Sequence, residues 1–209
     1  MKKAARPSLS NERERELASE GYRCIAGIDE VGRGPIAGPV VAAAVVLDPE
    51  NIPDGLRDSK ALSAKRRELA YEEILKTAHV AIAQIPHGEI DRINIRQATL
   101  LAMTEAFSGL SVKPDIALVD GNDPPGLPCK VLSIIKGDAT IASIAAASII
   151  AKVTRDRMMA QISKAYPAYG FERNAGYGTA EHLAAIAAHG PCPFHRMSFA
   201  PMRQNSLEF

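Results

Sequence analysis

The sequence predicts an α/β fold: a five-stranded mixed sheet flanked by helices, with a small C-terminal helical extension. Three observations lead there. Five short apolar runs have strand length, and three of them come early, before helices and strands begin to alternate. That order implies a mixed sheet covered by helices. The 209 residues are 46% apolar and 23% charged, enough to bury one sizeable core as a single globular domain. From Ala139 onward the composition turns to Ala, Ser and Ile, the small side chains that let a long helix pack closely on a sheet.

Residues 1–20 read as a charged extension, a mobile tail leading into a short helix, with Asn11 and Glu14 at capping-box spacing. Cys24 to Ile28 is the first strand. Pro35, Gly38 and Pro39 punctuate the connection to the second, the β-branched run Val40 to Leu47. Asp58-Ser59-Lys60-Ala61-Leu62-Ser63 leads into a helix from Ala64 to about Thr77, and Val80 to Ile85 is the third strand. Ile95, Leu100, Leu101, Met103 and Phe107 have helical spacing. Ile116 to Val119 is a strand ending at Asp120; after the loop Asp123-Pro124-Pro125-Gly126, a strand from Lys130 to Ile135 ends near Asp138. The small-residue helix runs from Ala139 to about Ala165. Beyond Pro167 the chain is loop-rich, with Gly176-Tyr177-Gly178-Thr179, a helix from Ala180 to His189 and a proline-containing tail.

Composition narrows the function classes. A net charge of +1 supplies no global basic field, although clustered acids would mask a basic binding face in that sum. Cys24, Cys129 and Cys192 lie far apart without C-x-x-C pairing, which argues against a disulfide framework or zinc site and fits a reducing cytosol. The basic start is followed by Asn11-Glu12-Arg13-Glu14-Arg15-Glu16 and not by an apolar segment, so no ordinary secretory signal is expected. The apolar run around Ile141 to Ala151 is interrupted by serines and falls short of the ~20 residues of a membrane helix. A cytoplasmic protein is expected, and nothing demands more than a monomer.

Acids recur at the expected strand ends: Asp29 and Glu30 after the first, Asp120 after the fourth, Asp138 after the fifth. In an α/β sheet such positions converge in the crevice outside the strand ends. Each has an ordinary alternative. Asp29-Glu30 is also an acidic turn solvated or paired with Arg33, Asp120 a turn former before Gly121, and Asp138 a helix N-cap. Four carboxylates gathered in one crevice repel one another unless divalent cations neutralise them. The ligands are hard oxygens with no His/Cys set beside them, so Mn2+ or Mg2+ is the natural choice. Two such ions roughly 4 Å apart can activate a water and stabilise the departing oxygen in phosphodiester cleavage. The loop Gly32-Arg33-Gly34 lets main-chain groups approach a sugar or phosphate without obstruction, or is simply a tight turn needing positive φ.

These residues also carry a resemblance. Gly27-Ile28-Asp29-Glu30-Val31-Gly32-Arg33-Gly34-Pro35 followed by Ala37-Gly38-Pro39-Val40 resembles the signature of ribonuclease HII. So do Asp58-Ser59-Lys60 with Leu62-Ser63, Val119-Asp120-Gly121, Lys136-Gly137-Asp138, the run from Ser143 to Asp156, Gly176-Tyr177-Gly178-Thr179 and His195-Arg196-Met197-Ser198-Phe199. The resemblance implies a ribonuclease H-like fold. It implies an endonuclease whose partners are RNA–DNA hybrid and ribonucleotide-containing duplex DNA, incising on the 5′ side of a single ribonucleotide to leave 3′-hydroxyl and 5′-phosphate ends. Asp29, Glu30, Asp120 and Asp138 fall on that family's metal-binding acids. Gly32, Arg33 and Gly34 fall on its reader of the ribose 2′-hydroxyl. Tyr177 falls on a tyrosine that packs on the neighbouring deoxyribose; without the resemblance it reads as a half-buried packing residue.

Lys60, Lys152 and Arg155 are candidate phosphate contacts, which position a duplex without specifying sequence. Ser143 and Ser148, five apart, are candidates for holding the substrate strand, or serines that simply allow tight packing. His182, His189 and His195 lack metal-ligand spacing and read as structural or surface groups, and Arg196 to Phe199 as the dock of the C-terminal tail. The expected division is a 1–20 extension, a 21–166 ribonuclease H-like catalytic domain and a 167–209 helical subdomain contributing to substrate binding. Two other readings compete. A Holliday-junction resolvase shares the acids but has no use for a 2′-hydroxyl reader, and a non-catalytic hybrid-binding module would lose one or more acids.

Overall fold

The computed structural model describes residues 9–53, 56, 62–200 and 202; the candidate Lys60 lies outside them. Strands β1 (Ile25–Val31), β2 (Val40–Leu47) and β3 (Ala78–Ile85) form an antiparallel meander, and β4 (Ile116–Asp120) and β5 (Lys130–Ile134) continue the sheet parallel to β1. The order β3-β2-β1-β4-β5 is the five-stranded mixed sheet that the sequence predicts.

Strand β2 shows how the layers arise. Val40, Ala42, Ala44 and Val46 face α3 (His87–Ser108), packing with Ala98, Ala102 and Ala106. Val41, Ala43 and Val45 face the other way, toward α2 (Ala64–Thr77) and α4 (Ala142–Ala165), where they meet Tyr71, Ile74, Ala146 and Ile150. A strand buried on both faces reads as a continuous apolar run, which this one is. Helix α3 starts earlier than its periodicity suggests and bends at Asn94 (φ 67°), whose side-chain oxygen accepts from Gln97 N at 3.1 Å. Asn94 thereby caps the second half of the helix, the stretch whose spacing is legible.

The short charged helix expected near the N-terminus is docked on the sheet, and the tail expected before it lies outside the described residues. In α1 (Glu12–Ser19), Leu17 is fully buried against Ile116, Leu118, Ile141 and Ile144. The capping box expected of Asn11 and Glu14 does not form, since Asn11 makes no side-chain cap. Glu14 instead accepts from the backbone N and the hydroxyl of Ser143, both at 2.9 Å, and so caps the first turn of α4.

At the other end, α5 (Phe171–Asn174) and α6 (Ala180–His189) gather around Tyr169, Phe171 and Ile186 and pack on Ile36, Ala37 and Met159. Among the described residues no helix is long and apolar enough to cross a membrane.

One close approach organises the interior. A methyl on Gly27 of β1 would overlap the Ser143 carbonyl carbon and the Ile144 nitrogen of α4, so helix backbone lies directly on strand backbone. The flexible ends of side chains can yield, but two main chains cannot. Gly27→Ala is therefore expected to destabilise the fold by about 3 kcal/mol. By thermal unfolding followed by circular dichroism the midpoint should fall by roughly 6–12 °C, and an unchanged midpoint would refute the close contact.

Candidate active site

Strand β1 runs three residues further than the sequence suggests, so Asp29 and Glu30 lie within it and not beyond its end. Their backbones pair with Ala43 and Ala42 of β2. Alternation along the strand turns Asp29 to the α4 face, on the same side as Gly27. There it accepts from the Ser148 hydroxyl and, at 2.7 Å, from the Glu30 N–H. The parallel register with β4 ends at Ile28 beside Val119, and one further step sets Asp29 alongside Asp120.

Asp120 closes β4, and its Oδ1 accepts from Gly137 N at 2.7 Å and Asp138 N at 3.4 Å. Lys136 makes this possible by adopting a left-handed conformation (φ 59°), sparsely populated for a residue with a side chain. Asp138 then sits in a 3-10 turn over Gly137–Ala139, 5% exposed. It is not the N-cap of α4, which begins after Ile141.

Asp29, Glu30 and Asp120 share one electrostatic field. Burial, then the charges of Glu30 and Asp120, push the Asp29 carboxyl well above the usual carboxylate range. Burial raises Glu30 too, with Asp120 adding to it and Arg33 opposing, its guanidinium 3.5 Å from the Glu30 carboxylate. Among the described residues no three His, Cys, Asp or Glu side chains are gathered tightly enough to enclose an ion as they stand. Protein donors hold the acids instead: Ser148 on Asp29, Arg33 on Glu30, two main-chain amides on Asp120.

Beside the acids the chain turns sharply at Gly32 (φ 95°), where a side chain would collide with Arg155 and with the Pro39 carbonyl. Two buried arginines hold this loop from below. Arg155, 1% exposed, donates to the carbonyls of Pro39, Ala175 and Ala37 at 2.9, 2.9 and 3.2 Å. Arg196, fully buried, donates to Gly32, Pro35, Gly38 and Arg33 at 2.6, 2.7, 3.0 and 3.1 Å. Burial pulls the Arg196 guanidinium down to about 9. With its carbonyls turned inward on these cations, the segment from Gly32 to Pro39 is fixed with Arg33 on the outside.

Tyr177 stands over this loop. Its ring is half exposed and would lie 3.3 Å from a methyl on Gly34. The preceding turn is held open by Ala175 at φ 49°, whose carbonyl is one of those bound by Arg155.

Two candidate contacts, Arg155 and Ser143, are corrected. Arg155 cannot meet a phosphate, because its donors are spent on carbonyls beneath the loop. Ser143 is buried and bonded to Glu14, so it does not reach substrate. Lys152, partly buried, is paired with Asp156 at 2.7 Å on its own helix. Ser148 is buried and serves Asp29. The residue sequence reasoning missed is Arg196. Its segment does dock, with Asp91 of α3 accepting from the backbone of Met197 and Ser198 at 2.8 and 2.9 Å, but the arginine itself clamps the glycine loop. The one signal was its place in a motif block, since carbonyl partners leave no trace in a sequence.

This geometry has relatives. A family model for ribonuclease HII matches residues 26–202. The chain belongs to the ribonuclease HII family. A ribonuclease HII of Xanthobacter autotrophicus is 61% identical over 195 residues, covering 93% of this chain and 78% of the relative. One from Azorhizobium caulinodans is 58% identical over 199 residues, covering 95% and 77%. Among solved structures, the ribonuclease H2 of Pyrococcus horikoshii superposes with a TM-score of 0.76 at 27% identity, over 87% of this chain and 96% of that one. Membership makes the protein a ribonuclease H, a metal-dependent nuclease acting on RNA–DNA hybrids.

The electrostatics of the site generate an expectation about stability. A raised carboxyl contributes stability that is complete below its unfolded value near 4 and lost as pH rises through its folded value. At neutral pH an ionised Asp29 therefore costs the fold free energy. Asp29→Asn, measured in chelator at pH 7.5, is expected to raise the thermal midpoint. The advantage should shrink as the pH is lowered toward 4, and a variant less stable than wild type at pH 7.5 would contradict the assignment. For Arg196→Lys, whose single ammonium cannot replace a planar fork of donors, the midpoint should drop and the hybrid-cleavage rate with it.

Proposed function

We propose that the enzyme incises duplex DNA on the 5′ side of a single embedded ribonucleotide, as well as cutting the RNA of longer hybrids, by two-metal-ion phosphodiester hydrolysis. The observation that carries this reading is the adjacency of two unlike features: acids that burden one another with charge, and a glycine loop with an aromatic ring above it. The first suits metal and phosphate. The second suits a sugar.

The donor set fits hard divalent cations, being carboxylate oxygen throughout, and the elevated Asp29 and Glu30 carboxyls are what cations would relieve. Asp29, Glu30, Asp120 and Asp138 are the residues that would hold Mn2+ or Mg2+. When bound, such ions supply an activated water and stabilise charge on the departing oxygen. The protein's own groups do the rest. Ser148 keeps Asp29 oriented, and the amides of Gly137 and Asp138 keep Asp120 turned inward. Gly32, Arg33 and Gly34 form the wall against which a 2′-hydroxyl is read, and Tyr177 packs on the deoxyribose that follows. Lys60 and Lys152 are further candidate phosphate contacts, and the 167–209 region contributes Tyr177 as a helical subdomain attached to the 21–166 catalytic domain. Cleavage leaves 3′-hydroxyl and 5′-phosphate ends. A cytoplasmic, monomeric enzyme acting in ribonucleotide removal completes the reading.

The deciding experiment incubates the protein with duplex DNA carrying one ribonucleotide, with and without Mn2+ or Mg2+. Incision 5′ of the ribonucleotide only in the presence of metal is expected, and equal cutting of an all-DNA duplex would reject the reading. Asp138→Asn is expected to abolish cleavage with the thermal midpoint nearly unchanged; a large loss of stability would mark a structural role. Tyr177→Ala should impair incision at a lone ribonucleotide more than cutting within long hybrid tracts, and equal losses would count against a role at the junction.

A further inference from the structure

Two histidines that carry no part of the chemistry meet in the interior behind the substrate face. His182 on α6 and His195 in the following segment are 0% and 1% exposed, with their Nε2 atoms 2.9 Å apart. The neighbours dictate where the protons are. His182 Nδ1 lies 2.8 Å from the Tyr177 carbonyl, which can only accept, so His182 carries its proton there. Neutral His182 then accepts at Nε2, and His195 must donate from its own Nε2. That makes His195 Nδ1 the acceptor of the Cys192 N–H 2.9 Å away, and leaves the Cys192 carbonyl, 3.1 Å from the same nitrogen, without a proton from it. The hydrogen bonds run one way: from Cys192 through His195 and His182 to the main chain of Tyr177.

Both ends of this chain are attached to the proposed sugar-reading elements. His195 pairs antiparallel with Ala37, flanked by Gly38 N to Phe194 O and Arg196 N to Ile36 O, both 2.9 Å. The next residue, Arg196, holds the carbonyls of Gly32, Arg33 and Pro35. At the other end the Tyr177 ring leans over Gly34. Tyr169 and Phe171 pack against both imidazoles, with ring centroids 5.1–6.2 Å away, so the pair has little room to shift.

We propose that His182 and His195 are positioning residues whose mutual hydrogen bond holds Tyr177 in register with the Gly32-Arg33-Gly34 loop, and thereby sets selectivity for a ribonucleotide joined to a deoxyribonucleotide. The inference rests on the reading of Tyr177 as the group that meets the second sugar. A displacement on the order of 1 Å is enough to spoil such an arrangement.

The test compares kcat/KM on a lone-ribonucleotide duplex with kcat/KM on a long hybrid. In His182→Leu both hydrogen bonds are lost at similar volume, and the ratio of the two should fall about tenfold or more. His182→Asn restores a donor at the Nδ1 position and should recover most of the ratio. In a Tyr177→Ala background His182→Leu should change the ratio no further, as expected for residues acting through one another. Equal losses on both substrates in His182→Leu, with Tyr177→Ala still selective, would overturn the inference alone. An unchanged ratio in Tyr177→Ala would overturn the reading of Tyr177 and the inference with it. Should the leucine variant not fold, nitrogen-15 NMR of the wild-type imidazoles decides: a proton on His182 Nδ1 and on His195 Nε2 is expected, and any other pair of tautomers refutes the connection.

Discussion

Backbone contact between β1 and α4 at Gly27 is the constraint on which the site depends. A helix can lie this close to a strand only if neither presents a side chain at the crossing, and the first turns of α4 are Ala, Ser and Ile. The consequence extends in both directions. Toward the helix N-terminus, Ser143 is brought within reach of Glu14, which ties α1 to the sheet. Further along, Ser148 meets Asp29, and two turns later Arg155 passes under the bend at Gly32. One strand and one helix thus carry an acid, its hydrogen-bond donor, the loop and the cation supporting that loop.

The site sorts its charges by what answers them. Arg155 and Arg196 are buried, yet each spreads its charge over several carbonyl dipoles in place of a single carboxylate. That arrangement stiffens the glycine loop and costs desolvation, which is why Arg196 is held far below its ordinary value. The acids are answered only in part, by hydroxyl and amide donors and by Arg33, and Asp29 remains strongly raised. Left-handed Lys136 and Ala175 add local backbone strain on either side. Stability is thus given up in the places where binding a polyanion and its cations would restore it.

Much of this was legible beforehand. Val40–Leu47, Ala64–Thr77 and Ala180–His189 run over the bounds that their periodicity predicts, because each has clear breakers at its ends and an apolar face of the right repeat. The end of β1 is less legible: two adjacent acids read as a turn, and only pairing with Ala42 and Ala43 keeps them extended. The capping box of Asn11 and Glu14 was locally plausible, but Glu14 found a better donor 129 residues away. Lys152, Arg155 and Ser143 looked alike as polar residues on one helix; rotation about the helix axis sent them to an ion pair, a buried clamp and a cap.

The strands and helices with strong repeats, the set of acids and the glycine loop follow from local chemistry and spacing alone. Which side each polar group faces, and what it answers, is settled by contacts between distant parts of the chain. Arg196 bonding the carbonyls of Gly32 and Pro35, more than 160 positions earlier in the chain, is a matter of packing. Main-chain carbonyls are the same at every residue, so no pattern of side chains announces in advance which of them a buried arginine will hold.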